Sequence, residues 1–415
     1  MRILLVCHRF PYPPSSGSRI RSYHVLRHLA LEHDVTLAAP VRSAEELEEG
    51  KGVQGPCRRV LTERIHPTAA RLRTLGSLLT RTPASMGFFR SPALVRRIRE
   101  ELATRRYDLV LVHCSAVAPW VADVEGVPKI LDFCDMDSQK WLAYAKALPF
   151  PLSLGHRLEG TKLRRAEEDL ARRFDLCTCA TPAEAATLEG YDPGVPVDWF
   201  RNGVDIDDFS PSDRPYDPDT ICFVGRMNYF PNSACMIDFC ARTLPLLRAR
   251  RPGLRLVIVG AAPGPAVRRL AAIPGVTVTG SVMDVRPYLA RAAVSVAPLA
   301  IARGTQNKIL ESLAMGVPVV ASDVAAGGVD CVAGEHLLAA ATPEGYADAI
   351  LRLLEDPAER RRFAEAGRAR MLSHHTWEVA MRRFDSILER TMGASLEPLV
   401  AAGSPGGIFR TNERA

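Results

Sequence analysis

At 415 residues, 47% of them hydrophobic, the chain is long enough for two globular domains of about 200 residues each. No apolar run reaches the ~18–20 residues of a membrane span, and the longest, 109–122, is interrupted by His113 and Pro119. The net charge of +6 is mild, and within the arginine-rich segment 57–106 aromatic residues are not interleaved with the charge, which argues against nucleic-acid binding.

The opening segment is too short for a signal-peptide core and lacks a cleavage site, so it reads as a buried strand over 3–7. A helix over 18–31 and a strand over 35–39 follow. Between Cys57 and Arg106, twelve arginines meet three acids, Glu63, Glu100 and Glu101. Such a face is either simply solvated or meets anionic headgroups or a phosphate-bearing acceptor. Strands are expected over 109–113, 129–133 and 176–180, with a charged helix over 155–173 and another from Pro182. Proline, glycine and aspartate concentrate over 193–218, which marks a domain boundary. Beyond it the grammar repeats, with strands over 221–225, 256–260, 276–279, 294–297 and 317–321 and a helix over 232–249. Helices over 343–354, 357–372 and 377–390 close the chain.

Apolar β-branched runs alternating with helices make parallel sheets covered on both faces. The expected class is therefore α/β, with two doubly wound, Rossmann-like domains. They are expected at 1–195 and 196–375, with 376–392 crossing back onto the first and 393–415 a disordered tail. The ten cysteines show neither zinc nor disulfide spacing. Cys7, Cys114, Cys179 and Cys222 lie in or beside apolar strands and read as reduced core residues of a cytoplasmic protein.

The chemistry concentrates in 303–322. A polar loop (Arg303, Gly304, Thr305, Gln306, Asn307) feeds a helix carrying Lys308 and Glu311, then a glycine stop and a buried strand. A helix N-terminus offers unpaired N–H groups and the positive end of a dipole, which suits a diphosphate. Lys308 adds a positive charge, and Glu311 an acceptor for sugar hydroxyls. An anion and a polyol held side by side describe a nucleotide-sugar. Gly225 and Arg226 end the strand at 221–225, on the edge where ligands of such sheets sit. Gly17 and Ser18 follow the first strand, where glycine permits close approach to a phosphate. Arg19 and Arg21 are either placed to reach a phosphate on that acceptor side or simply solvated. His113 ends a strand. Asp135 and Asp137 follow another, as ligands of acceptor hydroxyls, as a base, or as helix caps. Neither first-strand loop carries G-x-G-x-x-G, so a dehydrogenase is excluded.

Four motifs in order resemble glycosyltransferase family 4, from residue 1 to about 390. They are the opening strand with Pro11-Tyr-Pro-Pro and Gly17, Asn202-Gly-Val-Asp205 with Phe209 and Pro211, Phe223-Val-Gly-Arg226, and Lys308-Ile-Leu-Glu311 running on to Ser322. The stretches 17–23, 131–141 and 301–308 look like the sugar transferases encoded with PEP-CTERM/exosortase exopolysaccharide clusters. The resemblance implies the GT-B fold, with the two domains facing each other across a cleft. It implies retaining transfer from a nucleoside diphosphate sugar, without metal or cofactor, to a lipid-linked or oligosaccharide acceptor. The enzyme would work in the cytoplasm, peripheral to the inner face of an anionic membrane. Arg226 and Lys308 would hold the diphosphate, Glu311 the ribose and His113 the donor sugar, with Asp135 as a further catalytic candidate. Asn202 and Gly203 would shape the interdomain loop beside the donor.

Two departures stand out. A lysine expected five positions after Arg226 is Pro231, so Lys308 is expected to substitute for it. The first Glu of the family's E-x7-E pattern is Arg303, which cannot accept hydrogen bonds. Arg303 is expected to meet a uronic-acid carboxylate or a phosphate. The alternatives are a nucleotide-sugar epimerase of the same fold, which would convert donor without acceptor, and a non-catalytic nucleotide-sugar-binding protein.

Overall fold

A computed structural model describes residues 1–14, 17–50, 55 and 57–401, with the backbone alone for 49 and 394–401. Seven strands form the first sheet: β1 (Arg2–Cys7), β2 (Asp34–Val41), β3 (Arg59–Arg64), β4 (Leu109–His113), β5 (Lys129–Cys134), β6 (Leu176–Cys179) and β7 (Val197–Trp199). Their order is β3-β2-β1-β4-β5-β6-β7, all parallel. The second sheet holds β8 (Asp217–Val224), β9 (Arg255–Val259), β10 (Val276–Val278), β11 (Ala292–Ala297), β12 (Val319–Ser322) and β13 (Leu338–Ala340). Its order is β10-β9-β8-β11-β12-β13, again parallel. Central strands such as β4 and β11 are buried along their whole length, as sheets covered on both faces require. Order reverses at β1/β4 and at β8/β11, and both switch points open toward the cleft at the carboxyl ends of the strands.

The strands missing from the sequence reading are β3, β7 and β13, each at a sheet edge. Two have only three residues, and β3 carries arginine and glutamate at its ends around a short apolar centre, as a charged edge does. β7 moves the domain boundary. Val197–Trp199 pairs with β6, so the first domain runs past 195 to about the end of this strand. The helix expected over 232–249 is split into Phe230–Asp238, a wide π-turn at Phe239–Thr243 and Leu244–Arg250. Pro245 lacks an N–H and crowds the preceding turn, which the wide turn accommodates.

The final helix, Trp377–Ala401, carries Trp377, Met381, Phe384 and Ile387 into the first domain's core beside Ile3, Leu5, Val25 and Leu29. Helical backbone therefore occupies 393–401, the start of the segment expected to be disordered, and 402–415 lie outside the described residues. All ten cysteines are free thiols, eight of them buried.

Candidate active site

Register builds the first-domain wall. Pairing places Cys7 beside His113, His113 beside Asp132 and Asp132 beside Thr178 at the carboxyl ends of four adjacent strands. The Asp132 carboxylate takes two bonds from the Arg21 guanidinium (2.8 and 2.9 Å), one from Thr178 (3.0 Å) and one from His113 Nδ1 (2.8 Å). Burial alone would raise the Asp132 pKa, but Arg21 and His113 outweigh it and hold the carboxyl below its ordinary range. With Nδ1 donating to Asp132, His113 Nε2 faces the cavity, buried and without a partner. Arg21 is fully buried and also donates to Phe200 O and Asn202 Oδ1. It cannot reach an acceptor, so its expected acceptor-side role is replaced by a structural one. Arg19 is likewise corrected, since its guanidinium is committed to the buried Glu46, which also takes Arg42.

A cavity of about 290 Å³ opens here, lined by His8, Arg9, Gly17, Ser18, Ser85, Phe89, His113, Asp135, Asp137, Lys140, Asn202 and, from the second domain, Thr305. A larger depression of about 920 Å³ runs along 208–218 and 284–291, away from every candidate residue. Asp137 is paired with Lys140. Asp135 leaves Oδ1 unpartnered, and burial, helped by Glu184, raises its pKa to about 7. Thr305 likewise keeps a buried hydroxyl with no partner. Arg9 was not singled out in the sequence. Its Nε is buried and unbonded, and burial together with Arg42, Arg19 and Arg226 depresses its pKa. An arginine among arginines is an arrangement that an anion would relieve.

The second-domain wall comes from the 303–314 segment. The helix spans Asn307–Ala314. Lys308 Nζ donates to Asn232 Oδ1 at 2.6 Å and lies 4.7 Å from the centre of the Phe223 ring. Burial lowers Lys308 to about 8 and raises Glu311 to about 7, each partly opposed by the other's charge. Asn232 also donates to Arg226 O at 2.9 Å, so one buried amide aligns both cation-bearing segments. No periodicity or motif marked Asn232. Gly225 is small because a Cβ there would lie 2.7 Å from the Asn232 amide. Arg226 itself is exposed.

The two walls touch. Gly304 has φ +59°, and a Cβ there would lie 1.7 Å from Asp135 Oδ1, so only glycine lets the second domain close onto that carboxyl. Arg303 reaches the first domain, with Nε 3.1 Å from Glu184 Oε1. Its expected donor carboxylate is thus preceded by one from the protein. Glu184 is buried and also accepts from Met136 N at 2.7 Å. Asn202 bonds Asn307 at 3.4 Å, and Gly17 lies close to the same Asn307. Gln306 turns back to Arg303 O. Gly203 packs against Trp377, with no room for a Cβ.

Residues 15–208 match Glycosyltransferase Family 4, and residues 218–356 match Glycosyl transferases group 1. The D-inositol 3-phosphate glycosyltransferase of Thermobifida fusca is 28% identical over 63% of this chain, which spans 64% of that protein's length. A phosphatidyl-myo-inositol mannosyltransferase of Propionibacterium freudenreichii is 25% identical over 84% of each chain. Among solved structures, sucrose-phosphate synthase of Thermosynechococcus elongatus superposes with TM-score 0.71 at 18% identity, over 95% of this chain and 100% of that one. HepE of Anabaena, in complex with UDP-glucose, gives 0.67 at 16% identity, over 94% and 100%. Two family matches that divide the chain at the boundary between its two sheets, and two parallel α/β domains of GT-B architecture, identify it as a glycosyltransferase of family 4.

Proposed function

We propose that the enzyme transfers a sugar, with retention, from a nucleoside diphosphate sugar to a saccharide carried on a lipid, during exopolysaccharide assembly. It works in the cytoplasm at the inner membrane face, without metal or cofactor. The observation that carries this reading is the second-domain wall, where Asn232 aligns Arg226 and Lys308 one helical turn from Glu311. The two cations suit a diphosphate, and Glu311 suits a ribose. HepE, which shares the fold, is seen with UDP-glucose, and that supports a donor of this class. The names of the inositol-linked relatives describe phosphate-bearing acceptors, which supports a polar-headed acceptor meeting Arg9.

In this mechanism the bond from the anomeric carbon to the diphosphate breaks while the acceptor oxygen attacks from the same face. The acceptor proton passes to the departing diphosphate. Charge grows on the diphosphate, so Arg226 and Lys308 act where stabilisation matters most. His113 Nε2 accepts a sugar hydroxyl, and Asp135 accepts from the acceptor. Contact between Gly304 and Asp135 excludes water from the closed cleft. The test is thermal stabilisation by a panel of UDP-, GDP-, dTDP- and ADP-sugars. One sugar nucleotide should stabilise beyond its bare diphosphate, and no shift with any of them would overturn the reading.

The displaced pKa values set a pH profile. Asp135 and Glu311 lose protons near pH 7, and Lys308 loses its charge above about pH 8. The kcat/KM of the free enzyme should therefore rise through about 7 and fall beyond about 8. Lys308→Arg should move the alkaline limb upward and leave the acid limb in place. An unmoved alkaline limb would show that Lys308 is not the group titrating.

The Arg303–Glu184 contact gives a second expectation. Arg303→Glu sets two carboxylates face to face across the cleft and should cut kcat/KM roughly ten-fold or more. Adding Glu184→Arg restores the opposite pairing and should recover much of the loss. Steady-state kinetics of the single and double variants measure this coupling, and additive losses would show that the contact is incidental.

A further inference from the structure

Eight of the 18 large apolar side chains exposed on the described surface fall in two short segments of the first domain. One is the helix Pro67–Leu78 with its cap, where Leu72, Leu75 and Leu79 recur at three- and four-residue spacing on one face. Leu75 is 60% and Leu79 93% exposed. The other is the turn into the helix Leu152–Ala171, with Phe150 at 79% and Leu154 at 59% exposure. The segments adjoin, since Lys162 donates to Ser77 O at 2.8 Å and Glu159 accepts from Ala84 N at 2.9 Å. An apolar area of this kind on a folded chain marks a contact surface.

Charge selects the partner. Residues 66–90 carry four arginines and no acid, and residues 146–158 carry Lys146 and Arg157 and no acid. Arg71, Arg81, Arg90 and Arg157 are exposed. Elsewhere in the arginine-rich stretch half of the arginines are paired within the protein: Arg58 with Asp34, Arg59 and Arg105 with Glu101, and Arg97 with Glu63. Around the leucines, with no acid in either segment, the exposed arginines suit a negative surface. Ser85 and Phe89, on the connection between the two segments, line the cleft cavity.

We propose that this face is the membrane-docking surface, inserting its leucines and Phe150 among the headgroups of an anionic bilayer with arginines around the rim. No described helix is long and apolar enough to cross a membrane, so docking is interfacial. The proposal deepens the lipid-linked acceptor reading by seating the cavity's first-domain wall at the bilayer.

The test is co-sedimentation of the full chain with vesicles of phosphatidylglycerol and phosphatidylcholine, against phosphatidylcholine alone, at low and high salt. It needs neither donor nor acceptor, so it can fail while the transferase reading stands, and the reverse. Expected are binding to the anionic vesicles, weakening with salt, and a loss of roughly ten-fold or more in Leu75→Ser/Leu79→Ser and in Phe150→Ser. Each variant should keep the wild-type melting temperature, since the side chains are exposed. No binding by the wild type, or unchanged binding by both variants, overturns the proposal. A concentration-dependent dimer that the variants dissolve, without vesicle binding, assigns the face to a second copy and also overturns it.

Discussion

Lys308→Ala should lower kcat/KM by roughly 10²–10³-fold, the scale lost when one preorganised charge is removed from a developing anion. The loss should fall mainly on kcat, because the diphosphate gains charge on the way to the transition state and Lys308 meets that added charge. Stability should change far less, by about 1 kcal/mol, since one hydrogen bond to the Asn232 amide is given up. Asn232→Ala separates positioning from contact. Its amide touches Lys308 and the Arg226 carbonyl, so it should cost roughly ten-fold through looser cations, with both charges still present. Initial rates with a fixed donor, together with urea melts, measure all of this. A Lys308→Ala enzyme within about three-fold of wild type would remove Lys308 from the chemistry.

The parts of this site legible in the sequence are those whose meaning is local. The loop, helix, glycine stop and strand over 303–322 carry their own punctuation, and the central strands carry continuous apolar runs. The parts that were illegible depend on partners far along the chain. Arg21 looked like a solvated or phosphate-reaching residue because its counterion, Asp132, is 111 residues away. One signal was available, because an aspartate inside the apolar run of β5 must be paired to be tolerated there. Glu184 and Asn232 carried no such mark. Each opens a helix amid unremarkable residues and acquires its role only when the domains and turns assemble around it. The family pattern points Arg303 at a ligand, whereas its first partner in the folded chain is Glu184.

The buried Arg21–Asp132 pair carries the second large expectation. Asp132→Ala leaves a guanidinium with 0% exposure and no carboxylate, and removing one partner of such a pair costs about 3–5 kcal/mol. Arg21→Ala should cost a similar amount, because it strands the carboxylate and also releases the Phe200 carbonyl and Asn202 at the crossing between domains. Replacing both, as Arg21→Met/Asp132→Leu, should cost well under the sum of the singles, because no charge is left buried. Urea unfolding of the three variants reads the cycle directly. Singles costing under about 1 kcal/mol each would show that water reaches the pair. The same variants connect stability to chemistry. Asp132 fixes which His113 nitrogen carries the proton, so the double variant should fold yet lose turnover, with its His113 ring free to rotate. A double variant both stable and fully active would separate the two roles and leave His113 without a function in the cavity.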